Sequence, residues 1–329
     1  MHRRCRVLPA ESREAVNPAA TGSRGTAFLL LALATLFWAG NWVLGRALRD
    51  VFEPAALNFW RWLIASIALA PFALPGLRAN FAVIRRSAGL LLALSFLGVA
   101  LFQWMIYEGL KTTTAVNAVL LNSSFPAFML LCSWVIERER GTRRQMVGML
   151  ISLAGILIIM ARGEPASLAR LSLHSGDALI LLAMPVWGVY SVLLRRRPHE
   201  LDGVAFLFLI SLIGVVLLLP VFALEAYHTP PRWPGAAGVA AVLYVGLGAS
   251  VAAFICWNRG VAIVGANAAG FTLHLLPAFG TLLAMLFLGE SFQLFHAAGI
   301  ATILAGVVVA TRATPERAAS PRPDSGRSG

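Results

Sequence analysis

Trp38, Asn41 and Trp42 fall at i, i+3 and i+4, and Trp187, Tyr190 and Ser191 repeat that spacing 149 residues later. On a helix each trio shares one face, so two matched faces of rings and a single amide or phenol are expected to line one cavity. An amide or phenol left in hydrocarbon without a partner costs several kcal/mol, which directs Asn41 and Tyr190 to the interior of a helix bundle. The competing reading is packing between helices, with the tryptophans as interfacial anchors. Gln103, Trp104 and Tyr107 form a second polar set with Asn117, Asn122, Ser123 and Ser124, and Asn258 joins the candidates for solute contact. Tyr107 and Lys111 also suit an aromatic belt and a snorkelling lysine near the outer interface.

Pro126 and Pro277 are expected near the centres of two helices, where the missing N–H opens the backbone ladder and makes a hinge or gate. His274 lies three residues before Pro277 and is either a proton carrier or a hydrogen-bonded core residue. Arg61 lies within an apolar run. A central arginine costs about 2.5 to 3.5 kcal/mol on insertion scales, so the expectation is snorkelling to the outer surface rather than anion binding. The fifteen carboxylates fall in tails, loops or helix ends, which removes the usual proton relay of a pump. There is no GxxxxGKS, HExxH or GxSxG motif and no acidic metal cluster; neither ATP-driven work nor an embedded hydrolase is indicated. No catalytic residue, metal or cofactor is expected.

The elements that must hold these residues follow from composition. The chain has 329 residues, of which 58% are hydrophobic and 13% charged, with mean hydropathy +0.76. An ordinary soluble domain carries about 25% charge. Apolar runs of bilayer-crossing length occupy 26–46, 54–74, 88–107, 114–136, 144–162, 176–194, 203–222, 236–257, 266–288 and 292–311, which makes ten spans. The polar, Arg-, Pro-, Ser- and Gly-rich ends, 1–25 and 312–329, are expected to be disordered cytoplasmic tails. The net charge of +12 is scattered in short clusters between spans, not gathered on a basic helix, so it reads as topology signal and not as nucleic-acid binding. With the N-terminus inside, twenty cations lie on the cytoplasmic side and six outside, placing both termini in the cytoplasm of a bacterial inner-membrane protein. Cys5, Cys132 and Cys256 have no metal-ligand spacing and imply no disulfide framework.

Residues 107–160 align without a gap on the C-terminal third at an offset of 151, pairing Gly109 with Gly260, Pro126-Ala127-Phe128 with Pro277-Ala278-Phe279, Glu139 with Glu290 and Gly155 with Gly306. Chance likeness between apolar helices gives scattered Leu and Ala matches, not aligned Pro, Glu and Gly. Five spans per half is an odd number, so the halves enter the membrane in opposite senses. Glu139 and Glu290 are expected to cap the following helices. Gly148, Ser152 and Gly155, with Ala298, Thr302 and Gly306, form small-residue stripes that pack on each other or make a homodimer seam.

The stretches FWAGNWVLGR (37–46), YEGLKTTTAVNAVLLNSSFPAF (107–128) and ERERGTRRQMVGMLISLAGILII (137–159) resemble the EamA domain of the drug/metabolite transporter superfamily. The resemblance implies an all-α membrane protein of about ten transmembrane helices in two inverted five-helix repeats, 26–162 and 176–311, joined by a linker at 163–175. It further implies a cavity lined by the first, third, fourth, sixth, eighth and ninth spans, and secondary export of a metabolite, amino acid or drug-like solute by alternating access. The alternatives are an uptake permease and a non-transporting sensor or assembly subunit.

Overall fold

The structure, a computed structural model, describes residues 23–48, 51–113, 118, 121–161, 164, 174–230, 234–288 and 293–312. Asn117, Arg46's side chain and Glu290 lie outside the described residues. Every regular element among those described is helical: α1 (Arg24–Ala47), α2 (Pro54–Ala79), α3 (Ala88–Thr112), α4 (Phe125–Glu137), α5 (Arg143–Ala161), α6 (Ser175–Leu194) and α7 (Gly203–His228). A 49-residue apolar segment, Gly235–Leu283, is long enough for two crossings. It turns at Gly265, whose φ of 82° and ψ of 162° suit a residue without a Cβ. The turn divides α8 (residues 235–264) from α9 (residues 266–288), and α10 (Leu294–Thr311) ends the bundle. With the shorter α4, and leaving aside the six-residue surface helix Phe81–Arg86, ten apolar helices result among the described residues, the number of spans expected from the sequence.

Helix starts are set locally. Ser23 accepts from the Thr26 amide at 3.1 Å, and Asp202 accepts from the Val204 and Ala205 amides at 2.8 Å. The carboxylate of Glu225, near the end of α7, takes the Ala55 and Ala56 amides that open α2. At α5 the cap is the reciprocal pair Thr142 and Gln145. The cap expected from Glu139 is not made, because Arg195 engages its carboxylate instead at 2.8 Å.

Pro126 and Pro277 do not sit mid-helix. Pro126 is the second residue of α4, just after a turn at Ser123 and Ser124. Pro277 is the third residue of the α-helical run Leu275–Leu288, which follows a single 3-10 turn, Phe271–His274. In a first turn the missing N–H removes no intrahelical bond. Both prolines therefore restart a helix after a break, at equivalent places in the two repeats.

The packing pairs obey a two-fold relation. α5 packs on α10 and α2 on α7, while α1 packs on α8 and α9 as α6 packs on α3 and α4. Exchanging each helix for its repeat counterpart leaves this set unchanged, so the repeats interlock rather than standing side by side. The α5–α10 seam is built on Gly148, Ser152 and Gly155 against Gly299, Ile303 and Gly306, with Ser152 Oγ donating to the Ile303 carbonyl at 3.2 Å. A Cβ on Gly306 would lie 2.5 Å from the Ser152 nitrogen. The stripes thus pack on each other within the chain; on α10 the face is turned from the one expected, and Ala298 is exposed. Large apolar side chains such as Ile67, Phe72 and Leu286 are exposed outward, as lipid requires.

α3 and α8 each contain a π-helical segment at equivalent positions, Ser95–Leu101 and Val245–Ala252. Widening the turn disturbs the i→i−4 ladder and frees carbonyls for side-chain donors. Asn58 Nδ2 reaches the Val99 and Ala100 carbonyls at 3.0 and 3.2 Å, and Trp38 Nε1 reaches the Ala249 carbonyl at 3.0 Å. These bonds hold α2 against α3 and α1 against α8 around the centre.

Candidate functional site

Between the repeats lies a cavity of about 20 Å3, close to the size of one water molecule. Its walls are Trp38, Asn41 and Trp42 of α1, Phe102 and Gln103 of α3, Phe125 of α4, Trp187 of α6, and Leu273 and Leu276 at the 3-10 break within α9. Trp38 and Trp187 are repeat counterparts, as are Phe125 and Leu276. The cavity therefore straddles the pseudo-two-fold axis.

Its apolar wall is a continuous aromatic cluster. Trp38 meets Trp187 edge-on at 5.2 Å and 90°, and Trp257 at 5.2 Å; Phe254 packs on both Trp38 and Trp187. Trp187 also stacks on Tyr190 at 4.9 Å and meets Phe102 at 4.8 Å. Such pairs add about 0.5 to 1.5 kcal/mol each beyond the area they bury, enough to hold the rings in fixed orientations around the cavity.

The polar wall is organised by Arg61. Its side chain is fully buried, and Nη1 donates to Gln103 Oε1 at 2.9 Å and to Tyr107 Oη at 2.8 Å. Nε donates to Ser250 Oγ at 2.8 Å, and Nη2 approaches the Ala249 carbonyl that the π-segment of α8 exposes. Tyr107 Oη in turn donates a hydrogen bond to Asn41 Oδ1 at 2.7 Å. The expected snorkelling of Arg61 does not occur. Hydropathy locates a residue's depth, whereas its position around the helix decides exposure, and Arg61 lies on the side of α2 turned to α3 and α8. Among the described residues no carboxylate is within ion-pair distance of it. The nearest favourable fields are the rings of Trp62 and Tyr107, 5.2 and 5.9 Å from the guanidinium carbon.

Of the residues singled out from sequence, Trp38, Asn41, Trp42, Gln103 and Trp187 line the cavity. Tyr107 stands directly behind Asn41 and Gln103, in the core rather than at the interface, while Lys111 does lie outside and pairs with Glu53 at 2.9 Å. Tyr190 and Asn258 bond each other at 3.1 Å behind the Trp187 ring and do not reach the cavity. His274 is fully buried, with Nε2 donating to the Ser123 carbonyl at 2.9 Å. That bond joins repeat-equivalent residues of the two broken segments. Sequence reasoning missed Ser250, Phe102, Phe254 and Trp257. The offset of 151 that relates Ser250 to Val99, beside the Asn58 contact, was the available signal for the first of these.

No group of three or more His, Cys, Asp or Glu among the described residues is placed to hold a metal. An aromatic box with amide groups and a buried cation offers contact and hydrogen bonds of the kind that organic-solute sites use.

The two-repeat architecture has counterparts among known proteins. The EamA-like transporter family model matches residues 25–161 and 174–312, one match per repeat. An uncharacterized transporter of Archaeoglobus fulgidus is 30% identical, covering 86% of this chain and 96% of its own. YetK, an uncharacterized transporter of Bacillus subtilis, is 26% identical over 86% of each chain. A protein of Streptantibioticus cattleyicolor, described as a probable terminal-alkyne amino-acid exporter, is 27% identical over 86% of this chain and 93% of its own. A solved crystal structure, 22% identical, superposes with a TM-score of 0.68 over 88% of this chain and 97% of that one, which shows a common fold.

Proposed function

Because this chain belongs to the EamA-like transporter family, we propose that it is a secondary exporter of a small polar organic solute, working by alternating access around the central cavity. The observation that carries the reading is the cavity's position on the pseudo-two-fold axis, with lining residues drawn from both repeats. Rocking of one repeat against the other would then expose the same residues first to one side and then to the other. A volume of about 20 Å3 holds no metabolite, so this conformation corresponds to a collapsed, closed state. The breaks before Pro126 and Pro277 are the places where the walls would give, and His274, bridging the two breaks, would be strained by such a motion.

The outward direction is supported by a relative described as a probable exporter, whose name also points to amino acids as cargo. The charge distribution supports an inner-membrane location with both termini cytoplasmic. The test is counterflow in proteoliposomes made from the purified full chain, using labelled amino acids, nucleobases, sugars and lipophilic cations. The expected result is exchange of one solute class, reduced at least about tenfold by Asn41→Ala or Trp187→Ala, a loss of 1.4 kcal/mol or more. Folded protein that exchanges nothing in the panel would sink the reading.

A further inference from the structure

The polar wall has a direction. Arg61 Nη1 donates to Gln103 Oε1 and to Tyr107 Oη, and Tyr107 donates onward to Asn41 Oδ1. Both chains of bonds run from the guanidinium toward the cavity and end on an amide oxygen, that of Gln103 directly and that of Asn41 through Tyr107. Both amides that line the cavity are thereby left with their NH2 ends to offer. Trp187, across the cavity, has an indole N–H without an acceptor among the described residues, while the Trp38 indole is already committed to the Ala249 carbonyl. The free polar groups of the lining residues are therefore donors, in a site backed by a buried cation that no described carboxylate neutralises.

We propose that this wall binds a carboxylate of the transported solute, with Gln103 and Asn41 touching it and Arg61 supplying the counter-charge from behind. The inference rests on the transport reading and adds to it the charge of the cargo. A buried guanidinium whose partners among the described residues are all neutral is costly. An anionic ligand repays that cost only while bound, which is how a site discriminates an acid from its amide. Neutral donors aimed by a cation make charge-assisted bonds to carboxylate oxygens, and a ligand amide would instead set its own NH2 against those of Asn41 and Gln103. Arg61 does not line the cavity and acts as a positioning residue.

The experiment is counterflow of matched pairs by the full chain in proteoliposomes: alanine, leucine and phenylalanine against their amides, and benzoate against benzamide. At least one acid is expected to exchange about tenfold or more faster than its amide. Arg61→Gln removes that preference, and Arg61→Lys, which keeps the charge, retains part of it. Since Arg61→Gln leaves several partners unpaired and risks misfolding, Gln103→Glu is the second variant. It puts the protein's own carboxylate within reach of the guanidinium, so it is expected to fold with a Tm at or above that of the parent and yet lose acid exchange. Equal exchange of acid and amide overturns the carboxylate assignment and leaves the transport reading standing. A Gln103→Glu protein that keeps the acid preference overturns it too. Folded parent protein that exchanges neither member of any pair overturns both.

Discussion

In the first repeat Asn41 on α1 accepts from Tyr107 on α3; in the second the partners trade places, with Tyr190 on α6 donating to Asn258 on α8. Around this exchanged pair the two halves diverge. α2 and α7 are both 26 residues long and begin 149 residues apart, so Arg61 falls opposite Ile210, while Gln103 falls opposite Phe254 at the offset of 151. The half with the cation turns its amides toward the cavity. The other half seals its Tyr–Asn pair behind Trp187 and leaves Asn258 Nδ2 without a partner among the described residues. Duplication thus accounts for the frame and the axis, and substitution within the frame accounts for the chemistry: the first half supplies the buried cation and the amides at the cavity, while both halves contribute rings to the aromatic wall.

The sharpest break of this comparison is Tyr107→Phe. It strands an Arg61 N–H and Asn41 Oδ1 together, and leaving buried groups unpaired, one of them charged, costs about 3 kcal/mol. The Tm of the detergent-purified protein is expected to fall by several degrees and exchange to fall at least about tenfold. If Tyr107→Phe behaves no worse than Tyr190→Phe, the two halves are not functionally distinct.

The scaffold should be indifferent to which repeat is altered. Gly155→Ala and Gly306→Ala are counterparts whose new methyls meet α10 and α5 backbone at 2.7 and 2.5 Å. Overpacking of that kind costs about 1 to 3 kcal/mol, so both variants are expected to lose about 2 kcal/mol each, within error of one another, with unaltered solute preference in the fraction that remains folded. Thermal unfolding of the pair side by side checks this, and a marked inequality would mean the α5–α10 seam is not symmetric in energy.

Tyr190→Phe comes next in size. It removes one neutral hydrogen bond at 3.1 Å to an amide that already lacks a partner for its nitrogen among the described residues, a loss of about 1 kcal/mol. The stack of the ring on Trp187 at 4.9 Å survives the change. Exchange is expected to stay within about threefold of the parent, and a larger loss would show that the Tyr190–Asn258 pair reaches the solute in another conformation.

Much of the frame was legible because a helix period and a repeat are one-dimensional signals. The gap-free offset of 151 and ten apolar runs suffice for an inverted bundle, and the Trp-bearing faces of α1 and α6 do meet at its centre. The breaks in the fourth and ninth spans were hidden because Leu, Phe and Ala around Pro126 and Pro277 keep hydropathy high across a turn. Tyr107 and Lys111 are four residues apart and looked alike as interfacial residues, yet one lies in the Arg61 network and the other pairs with Glu53 outside. Depth along a helix can be counted from its ends, but which neighbour a side chain meets depends on helix azimuth and on the π-segments that free the carbonyls of Val99, Ala100 and Ala249. Neither is written in hydropathy. Tyr190 and Asn258 were placed at the cavity for the same reason: the period identifies the buried face, not which of its residues the larger Trp187 ring covers.

The smallest expected effect concerns the charged rim between the repeats. Arg195, just past the end of α6, reaches Glu137 and Glu139 at the end of α4, at 2.5 and 2.8 Å. It is an ion cluster in partial contact with water, unlike the buried cation of the polar wall, and exposed pairs contribute at most about 1 kcal/mol while being screened by salt. Arg195→Gln is therefore expected to lower the Tm by only a degree or two in dilute buffer and by less in concentrated salt. By offset Arg195 corresponds to Arg46 and Glu139 to Glu290, while Glu137 corresponds to Leu288. If Arg195→Gln instead cost as much as Tyr107→Phe, and in a salt-independent way, the halves would be locked chiefly by their rims. The contrast between the half that supplies the buried cation and the half that does not would then lose its place as the main asymmetry of the molecule.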